Sequence, residues 1–428
     1  MIPLIGVLIL FALLLVGAPI SFAMLISGAV GLYMIGGELP MMAILSSFPR
    51  ETAITREFIT VPMFLLMAEL VLKSGIADDL FRTAAAWFGR VRGGLGIATA
   101  LAGAGFGAIC GSSTAAAATL SSTSLPAMLK YDYERPMAAG VVAISGTLSM
   151  LIPPSVAMIV YGLLADVSIA QMLVAGVVPG IIVTSTIALT VYFLAWQKPE
   201  RAPISEKVPL REKIYLLRLI GPMLLLMLAV TGAIYGGVAT PSEASALGAF
   251  GAAILYFARA RRTPAEVYEV FSKAARTSCM IALIVMSAHV FSTFFAMTQT
   301  TQSLVRWVGE LPLPGWGIII VLVLIYILLG TFLDQMAILV LTVPIVVPMV
   351  LSLGYDPIWW GVIVIVTAEL GMVTPPLGLN AFVVARYSDT PVGEVFRGIW
   401  PHFVAHIIAI AILLLFPALS LWLPHQMN

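Results

Sequence analysis

Long runs of apolar residues, separated by short charged segments, dominate the chain. A helix needs about 20 mostly apolar residues to cross the roughly 30 Å hydrocarbon core of a bilayer. The clearest runs are Met1–Leu15, Ile169–Trp196, Ile214–Ile234, Ala244–Phe257, Ile281–Phe295 and Ile399–Leu423. The pattern predicts an all-α polytopic membrane protein.

Two of the apolar stretches contain a double proline, in SMLIPPSVAM at 149–158 and in GMVTPPLGLN at 371–380. Proline lacks a backbone N–H and its ring clashes with the preceding turn, so each pair should break its helix. The carbonyl groups freed by a break find no water in the bilayer core. Both pairs are therefore predicted to lie in helices that are broken inside the protein, where the backbone faces protein, ions or water.

The two double prolines belong to an internal repeat with an offset of 222 residues. Residues 93–179 and 315–401 align on this offset without a gap. The matched pairs are Gly93 and Gly315, Pro126 and Pro348, Tyr133 and Tyr355, Met150 and Met372, Pro153 and Pro375, Pro154 and Pro376, Gly176 and Gly398, and Pro179 and Pro401. A shared spacing of turn and helix-breaking residues indicates a shared backbone.

The distribution of positive charge predicts the topology. Cytoplasmic loops of membrane proteins are enriched in Lys and Arg. Nineteen of the 22 Lys and Arg residues fall in five clusters, Lys73–Arg92, Lys130–Arg135, Lys198–Arg218, Arg259–Arg276 and Arg386–Arg397. Placing all five in the cytoplasm gives ten spanning segments plus two hairpins, with both termini periplasmic. The first Lys or Arg is Arg50, which argues against a cleaved signal peptide.

The two copies of the repeat start on opposite sides of the membrane. The first begins at the cytoplasmic cluster Arg90–Arg92, and the second begins near Glu310–Pro314, which carries almost no positive charge. The repeats are therefore predicted to be inverted. Inverted repeats with broken helices are typical of secondary transporters, whose binding sites lie near the membrane midplane.

Each copy also contains a predicted re-entrant hairpin with a polar tip inside the membrane. The first consists of Leu95–Ile109, a tip at Gly111–Thr114 and Ala115–Met128. The second consists of Ile318–Leu329, a tip at Gly330–Asp334 and Met336–Leu353. The charged loop after the first hairpin returns the chain to the side from which it entered.

The chain divides into four predicted regions. Residues 1–56 form N-terminal scaffold helices and an interfacial arm. Residues 57–197 form the first inverted repeat, with a hairpin at about 94–128 and a broken helix at about 136–165. Residues 198–275 form a cytoplasmic linker and a pair of scaffold helices. Residues 276–428 form the second repeat, with a hairpin at about 315–353 and a broken helix at about 357–386.

Composition excludes several other functions. The chain is 61% hydrophobic and 10% charged, with a net charge of +1, so no nucleic-acid partner is expected. An intramembrane hydrolase needs a Ser–His or Ser–Lys pair, or paired Asp residues; Ser113 has no such base in its own repeat and Asp334 has no second Asp at its tip. The four His residues show no ligand spacing. No enzyme activity is predicted.

Four separated motifs resemble one known family. They are GAICGSSTAAAATLSSTSLPAMLKYDYERP, SGTLSMLIPPSVAMIVYGLLADVSI, GTFLDQMAILVLTVPIVVPMV and GMVTPPLGLNAFVV. Together they are similar to the DctM-like large membrane subunit of tripartite ATP-independent periplasmic (TRAP) transporters. The resemblance covers essentially the whole chain.

The resemblance implies a Na⁺-coupled importer of organic acids in the bacterial inner membrane, which moves a transport domain as an elevator through the lipid. It also implies two partners, a small four-helix membrane subunit and a soluble periplasmic substrate-binding protein. Because Met1 starts directly in the large-subunit pattern, the small subunit is expected to be a separate chain.

The tips and breaks supply the candidate site residues. Carbonyl and hydroxyl oxygens suit a hard monovalent cation, and helix N-termini suit an anion. At least two Na⁺ sites are predicted, one per repeat: the first at Ser112, Ser113, Thr114, Gly146 and Ser149, and the second at Gly330, Asp334, Gly371 and Thr374. The predicted substrate contacts are Ser113, Ser155, Asp334 and Asn380.

Each assignment has a structural alternative. The small residues of the first tip also suit close helix packing, the alternative for Asp334 is a carboxylate paired within the bundle, and Glu369 is either a structural partner or a coupling residue. At the level of function, the alternative is a stand-alone ion-coupled carboxylate or anion transporter with the same inverted architecture.

Overall fold

A computed structural model of the protein describes residues 1–54, 56–310 and 312–427. This part of the chain is helical and contains no β-strand, as predicted. Its helices are α1 (Ile2–Leu15), α2 (Ile20–Gly36), α3 (Glu38–Ile54), α4 (Thr60–Lys73), α5 (Ile76–Phe88), α6 (Gly94–Cys110), α7 (Ser113–Lys130), α8 (Arg135–Thr147), α9 (Val156–Ala165), α10 (Ile169–Ala175), α11 (Val177–Gln197), α12 (Leu210–Tyr235), α13 (Pro241–Arg259), α14 (Pro264–Met297), α15 (Thr300–Gly309), α16 (Gly315–Phe332), α17 (Gln335–Ser352), α18 (Pro357–Gly371), α19 (Leu379–Ser388), α20 (Val392–Leu415) and α21 (Ala418–Leu421).

Three positions used in the sequence predictions lie outside the described residues: Thr55 in the interfacial arm, Leu311 near the predicted start of the second copy, and the terminal Asn428. The arm itself is helical over Glu38–Ile54. Its position at a membrane interface stays a prediction.

Within the described residues, six helical segments are long and apolar enough to cross a membrane. They are Ile169–Gln197, α12, α14, α16, α17 and α20. The pair α4 and α5, bent by 67°, would make a seventh. Among the shorter helices, α1, α2, α6, α9 and α18 are also apolar. The chain is a multi-pass membrane protein, whereas the count of ten spanning segments and the side of each terminus stay predictions.

The helix boundaries follow the 222-residue offset closely. The offset carries α7 onto α17 residue for residue. It also relates α6 to α16, α8 to α18 and α9 to α19, each to within two residues at their starts. Both Pro-Pro pairs lie between helices, and both of their peptide bonds are cis. The spacing of helix breakers in the sequence thus corresponds to a spacing of helices in the structure.

The second arm of each hairpin packs against both broken helices. α7 contacts α8 of its own repeat and α19 of the other, and α17 contacts α18 of its own repeat and α9 of the other. The two repeats therefore interlock around their tips and breaks. An offset along the sequence relates equivalent residues but does not specify these contacts.

Glycine pairs allow the closest helix crossings. A Cβ atom on Gly330 would lie 2.8 Å from the Cα atom of Gly371, where α16 crosses α18. A Cβ atom on Gly398 would overlap the carbonyl group of Pro136, where α20 crosses α8 next to Gly140. Small residues at such crossings let backbones approach, which is a main source of helix association in membranes.

The N-terminal helices form a separate hydrophobic cluster. α1, α2 and α3 pack with the second half of α14 around Met24, Phe291 and Phe294. The Phe294 ring fills the space that side chains at Gly6 and Gly31 would occupy. This cluster is distinct from the main core, which contains both broken helices.

Ion pairs join α4 to the start of α14. Lys73 Nζ lies 2.8 Å from Glu269 Oε1, and Lys273 Nζ lies 2.9 Å from Glu69 Oε1. The pairing order is reversed along the two helices, so they run antiparallel here. All four residues lie at or near the ends predicted to be cytoplasmic.

Candidate functional site

The tip of the first hairpin is connected to the second repeat. Ser113, the first residue of α7, is buried, and its hydroxyl donates a hydrogen bond to Asn380 Oδ1 at 3.1 Å. The Sδ atom of Met372, in the second break, lies 3.9 Å from the same hydroxyl. The first tip therefore contacts the break and the following helix of the opposite repeat.

The same tip also lies against its own broken helix. A Cβ atom on Gly146 would be 3.0 Å from the carbonyl oxygen of Ser113, so the end of α8 and the first turn of α7 are in close contact. The buried Ser149 hydroxyl donates to the Gly146 carbonyl at 2.8 Å. The structure thus brings Ser113, Gly146 and Ser149 of the first predicted set together.

The other two residues of that set form the helix start. Ser112 is the N-cap of α7, and its Oγ accepts a hydrogen bond from the Ala115 N–H at 3.4 Å. Ser and Asp are favoured at this position because their side chains satisfy otherwise unpaired N–H groups. The Ser112 and Thr114 hydroxyls are 3.3 Å apart and half-buried.

The second tip is shorter than predicted. The sequence places Gly330 in the tip, but α16 continues through Phe332. Gly330 is thus a helix residue packed against Gly371, and the helix continues through Thr331 and Phe332. Gly330 therefore does not belong to the non-helical backbone of the tip, whose carbonyl oxygens are the predicted ion ligands.

Asp334 caps α17 at this tip. Its carboxylate accepts a hydrogen bond from the Met336 N–H at 3.2 Å, and the residue is exposed. Thr374, in the second break, is half-buried, and its hydroxyl donates to the Leu370 carbonyl at 2.6 Å. Asp334 and Thr374 both keep oxygen lone pairs free, whereas Gly330 and Gly371 contact each other through their backbones.

The breaks satisfy some of their own backbone groups. The buried Ser155 hydroxyl donates to the Met150 carbonyl and accepts from the Met158 N–H at 3.4 Å, so it caps α9. The carbonyl of Met372, at the position equivalent to Met150, accepts a hydrogen bond from the Asn380 N–H at 3.2 Å. Equivalent carbonyls are thus satisfied by a side chain in one repeat and by the backbone in the other.

Two buried polar residues near the site stand out from their surroundings. Glu369, near the end of α18, is buried, and neither of its carboxyl oxygens has a hydrogen-bond partner. The Ser113 hydroxyl lies close to this carboxyl group. Gln335, the first residue of α17, is also buried, and neither atom of its amide has a partner.

Sequence reasoning missed Gln335, although a signal for it was available. The 222-residue offset pairs Gln335 with Ser113. Ser113, the candidate ligand of the first tip, therefore has a polar counterpart in the second tip. In the described part of the chain, no group of three or more His, Cys, Asp and Glu side chains is arranged to hold a metal ion.

An all-helical membrane protein with two hairpins and two interrupted helices, packed across an internal repeat, has the architecture of a secondary transporter. Residues 7–419 match the family model described as "Tripartite ATP-independent periplasmic transporter, DctM component". The chain belongs to this family. It is therefore a transport protein rather than an enzyme, and the hydrolase alternative is wrong.

Individual relatives support the assignment. The chain is 34% identical over 379 residues to the C4-dicarboxylate TRAP transporter large permease protein DctM of Pseudomonas aeruginosa, covering 88% of each chain. It is 27% identical to the isethionate TRAP transporter permease protein DctMQ of Oleidesulfovibrio alaskensis, covering 96% of this chain and 65% of that one. The fold is similar to that of the Alcanivorax borkumensis YdaH transporter, with a TM-score of 0.63 at 14% identity over 93% of this chain and 96% of the other.

Proposed function

We propose that the protein is the large membrane subunit of a Na⁺-coupled TRAP transporter that imports an organic acid. The observation that carries the proposal is the buried contact between Ser113 and Asn380. It joins a hairpin tip of one repeat to the helix that follows the break of the other. A substrate or ion bound beside this contact would touch both repeats at once.

The coupling ions are proposed to bind at the tips and breaks. The first Na⁺ site uses Ser112, Ser113 and Thr114 with oxygens around Gly146 and Ser149. The second uses Asp334 and Thr374 with carbonyl oxygens around Gly371. Support comes from the close approach of Ser113 to Gly146 and from hydroxyls that donate to backbone carbonyls and so keep their lone pairs available.

The substrate is proposed to lie beside the same elements. Ser113, Asn380 and Asp334 supply polar contacts, and Ser155 keeps α9 in place through its two hydrogen bonds. No Lys or Arg belongs to either tip. An anionic substrate is therefore stabilised by the Na⁺ ions and by the positive ends of α7 and α17.

Transport is proposed to follow an elevator mechanism with two protein partners. The hairpins and broken helices share the main core, whereas α1, α2 and α3 belong to a separate cluster, which suits a moving domain beside a scaffold. A periplasmic binding protein delivers the acid, and a separate small subunit completes the assembly in the bacterial inner membrane. The name DctMQ and the additional length of that relative fit a fused version of the two membrane subunits.

Reconstitution tests this function. The chain is co-purified with a small TRAP membrane subunit, placed in proteoliposomes, and supplied with a periplasmic TRAP binding protein and labelled organic acids, C4-dicarboxylates first. Uptake is expected only with both partners and an inward Na⁺ gradient. Robust Na⁺-driven uptake by this chain alone would instead establish the stand-alone transporter, and uptake indifferent to Na⁺ would contradict the proposed coupling.

A further inference from the structure

A patch of buried polar atoms without partners lies where the first tip meets the second broken helix. It comprises both carboxyl oxygens of Glu369 and the Nδ2 atom of Asn380. The Ser113 hydroxyl lies between them in the structure, since it donates to Asn380 Oδ1 and is close to the Glu369 carboxyl group. All three residues are buried. The two ion sites proposed above do not use Glu369.

An ionised carboxylate in this position needs a neutralising partner. Burying an unpaired charge costs several kcal/mol even after the protein relaxes. Glu369 makes no ion pair with any Lys, Arg or His in the described residues. The helices packed against α18 carry the buried titratable side chains Tyr161, Tyr326, His402 and His406, and none of these pairs with Glu369. A proton or a bound cation must therefore supply the missing charge.

The surrounding atoms favour a hard cation. Carboxylate, amide carbonyl and hydroxyl oxygens are the ligands that such ions prefer, and Glu369, Asn380 and Ser113 provide one of each. Ser113 uses its proton for Asn380 and keeps its lone pairs. The Glu369 carboxyl group lies beside the Ser113 hydroxyl, so oxygens of both side chains are placed to bind one ion. The Met372 thioether lies beside them but is too soft to compete.

Helix electrostatics favour a charged ligand in this site. Ser113 is the first residue of α7, and a helix N-terminus carries roughly half a positive charge, which repels a cation. The full negative charge of a carboxylate outweighs this repulsion.

We propose that Glu369, Asn380 and Ser113 form an additional Na⁺ site with ligands from both repeats. The inference rests on the proposed Na⁺ coupling. It differs from the other two sites because each of those lies within one repeat. A site completed by α7, α18 and α19 together forms only when the first tip is docked on the second broken helix, so ion binding stabilises that docked arrangement.

Thermal unfolding of the purified membrane complex tests the site without transport. The unfolding midpoint is measured in NaCl and in KCl at equal ionic strength. The unaltered protein is expected to be more stable in Na⁺. Glu369→Gln, which has the shape of the protonated acid, is expected to lose at least half of this Na⁺-specific increase while its midpoint in KCl stays close to that of the unaltered protein. The control Glu212→Gln alters an exposed carboxylate on α12 and should keep the full increase.

Several results would overturn the site. One is a lack of Na⁺-specific stabilisation in the unaltered protein. Another is a Glu369→Gln variant whose unfolding midpoint still rises fully in Na⁺, which would show that the carboxyl group simply carries a proton. The double variant Glu369→Gln with Asn380→Asp moves the charge within the site and should restore the response; failure to restore it would indicate a structural role only.

A further variant covers the case in which Glu369→Gln does not fold. Ser113→Ala keeps the carboxylate and removes one oxygen, so the Na⁺ concentration giving half of the stabilisation should rise several-fold. An unchanged concentration would count against the site. Since these measurements need no substrate, a complex that shows the expected Na⁺ effects but no Na⁺-driven uptake would retain the site and refute the proposed coupling.

Discussion

The N-caps of the two hairpin arms differ in charge although they occupy equivalent positions. Ser112 caps α7 and Asp334 caps α17, and the two residues are 222 positions apart. Either side chain satisfies backbone N–H groups equally well. Capping therefore explains a polar residue at both places but not the carboxylate at the second, and we propose that the charge of Asp334 serves transport.

Asp334→Asn should abolish uptake or flatten its Na⁺ dependence. Asn is as good an N-cap as Asp, so the substitution removes the charge and leaves the helix start intact. Uptake is measured in the reconstituted system over a range of Na⁺ concentrations, and co-purification with the small subunit reports folding.

Asp356→Asn provides a matched control for this experiment. Asp356 caps α18 by accepting hydrogen bonds from the Ile358 and Trp359 N–H groups, and it belongs to neither tip. Its Asn variant should transport normally. Normal uptake with unchanged Na⁺ dependence in Asp334→Asn as well would show that Asp334 is structural and that the second ion site is misplaced.

Residues next to a tip or break could be selected from the sequence, but their surroundings could not. Ser113 and Asn380 each adjoin a helix interruption that is visible in the sequence, and the structure joins them directly. Gln335 looks like an ordinary polar residue in the first turn of a helix. Only the packing of α17 shows that its side chain is buried, and burial is what turns an ordinary amide into a candidate contact.

The closest helix crossings depend on glycines, which have no side chain beyond a hydrogen atom. Gly398 lies where α20 crosses α8, with the Pro136 carbonyl and Gly140 in direct contact. This crossing attaches the last long helix of the second repeat to the broken helix of the first. The relative placement of the repeats therefore rests partly on the absence of a side chain.

Gly398→Ala should lower the unfolding midpoint of the purified protein clearly. The added methyl group meets backbone atoms that cannot rotate away, and overpacking of this kind costs about 1–3 kcal/mol. Gly232→Ala in α12 is the control, since nothing lies within 4 Å of a Cβ atom there; it should be neutral or slightly stabilising because Ala is the better helix former. Equal unfolding midpoints for the two variants would mean that α8 and α20 can move apart without a loss of stability.

The start of α17 lies one residue from its predicted position, whereas the end of α16 lies three residues beyond its predicted position. Ser112 and Asp334 mark the starts of α7 and α17 as polar caps after a turn. The end of α16 has no comparable marker, because Gly330 is followed by Thr331 and Phe332, which continue the helix. A single glycine is compatible with both a turn and a close helix crossing. Gly330 lies directly against Gly371, so here the glycine serves a helix crossing.

The arrangement of the repeats could be predicted only in part. The offset of 222 residues relates α7 to α17 and α8 to α18, so the internal symmetry follows from the positions of Pro and Gly. The packing of α7 on α19 and of α17 on α9 does not follow, because a repeat does not specify whether its elements pair within a copy or between copies. The exchange places the candidate ligands of each tip beside the opposite repeat.

The orientation of the chain in the membrane gives the last prediction. Lys207 lies in the linker between α11 and α12, within the most basic segment, and the positive-inside rule places it in the cytoplasm. Val238 lies in the turn between α12 and α13 and is highly exposed. One membrane crossing separates the two residues if α12 spans the bilayer, so they should react from opposite sides.

Cys110 and Cys279 are first replaced by Ser, and Lys207→Cys and Val238→Cys are then treated with a membrane-impermeant maleimide in intact spheroplasts. Val238→Cys should be labelled at once, whereas Lys207→Cys should be labelled only after permeabilisation. The reverse pattern would invert the topology and place both termini in the cytoplasm, and labelling of both residues from outside would show that α12 does not span the membrane.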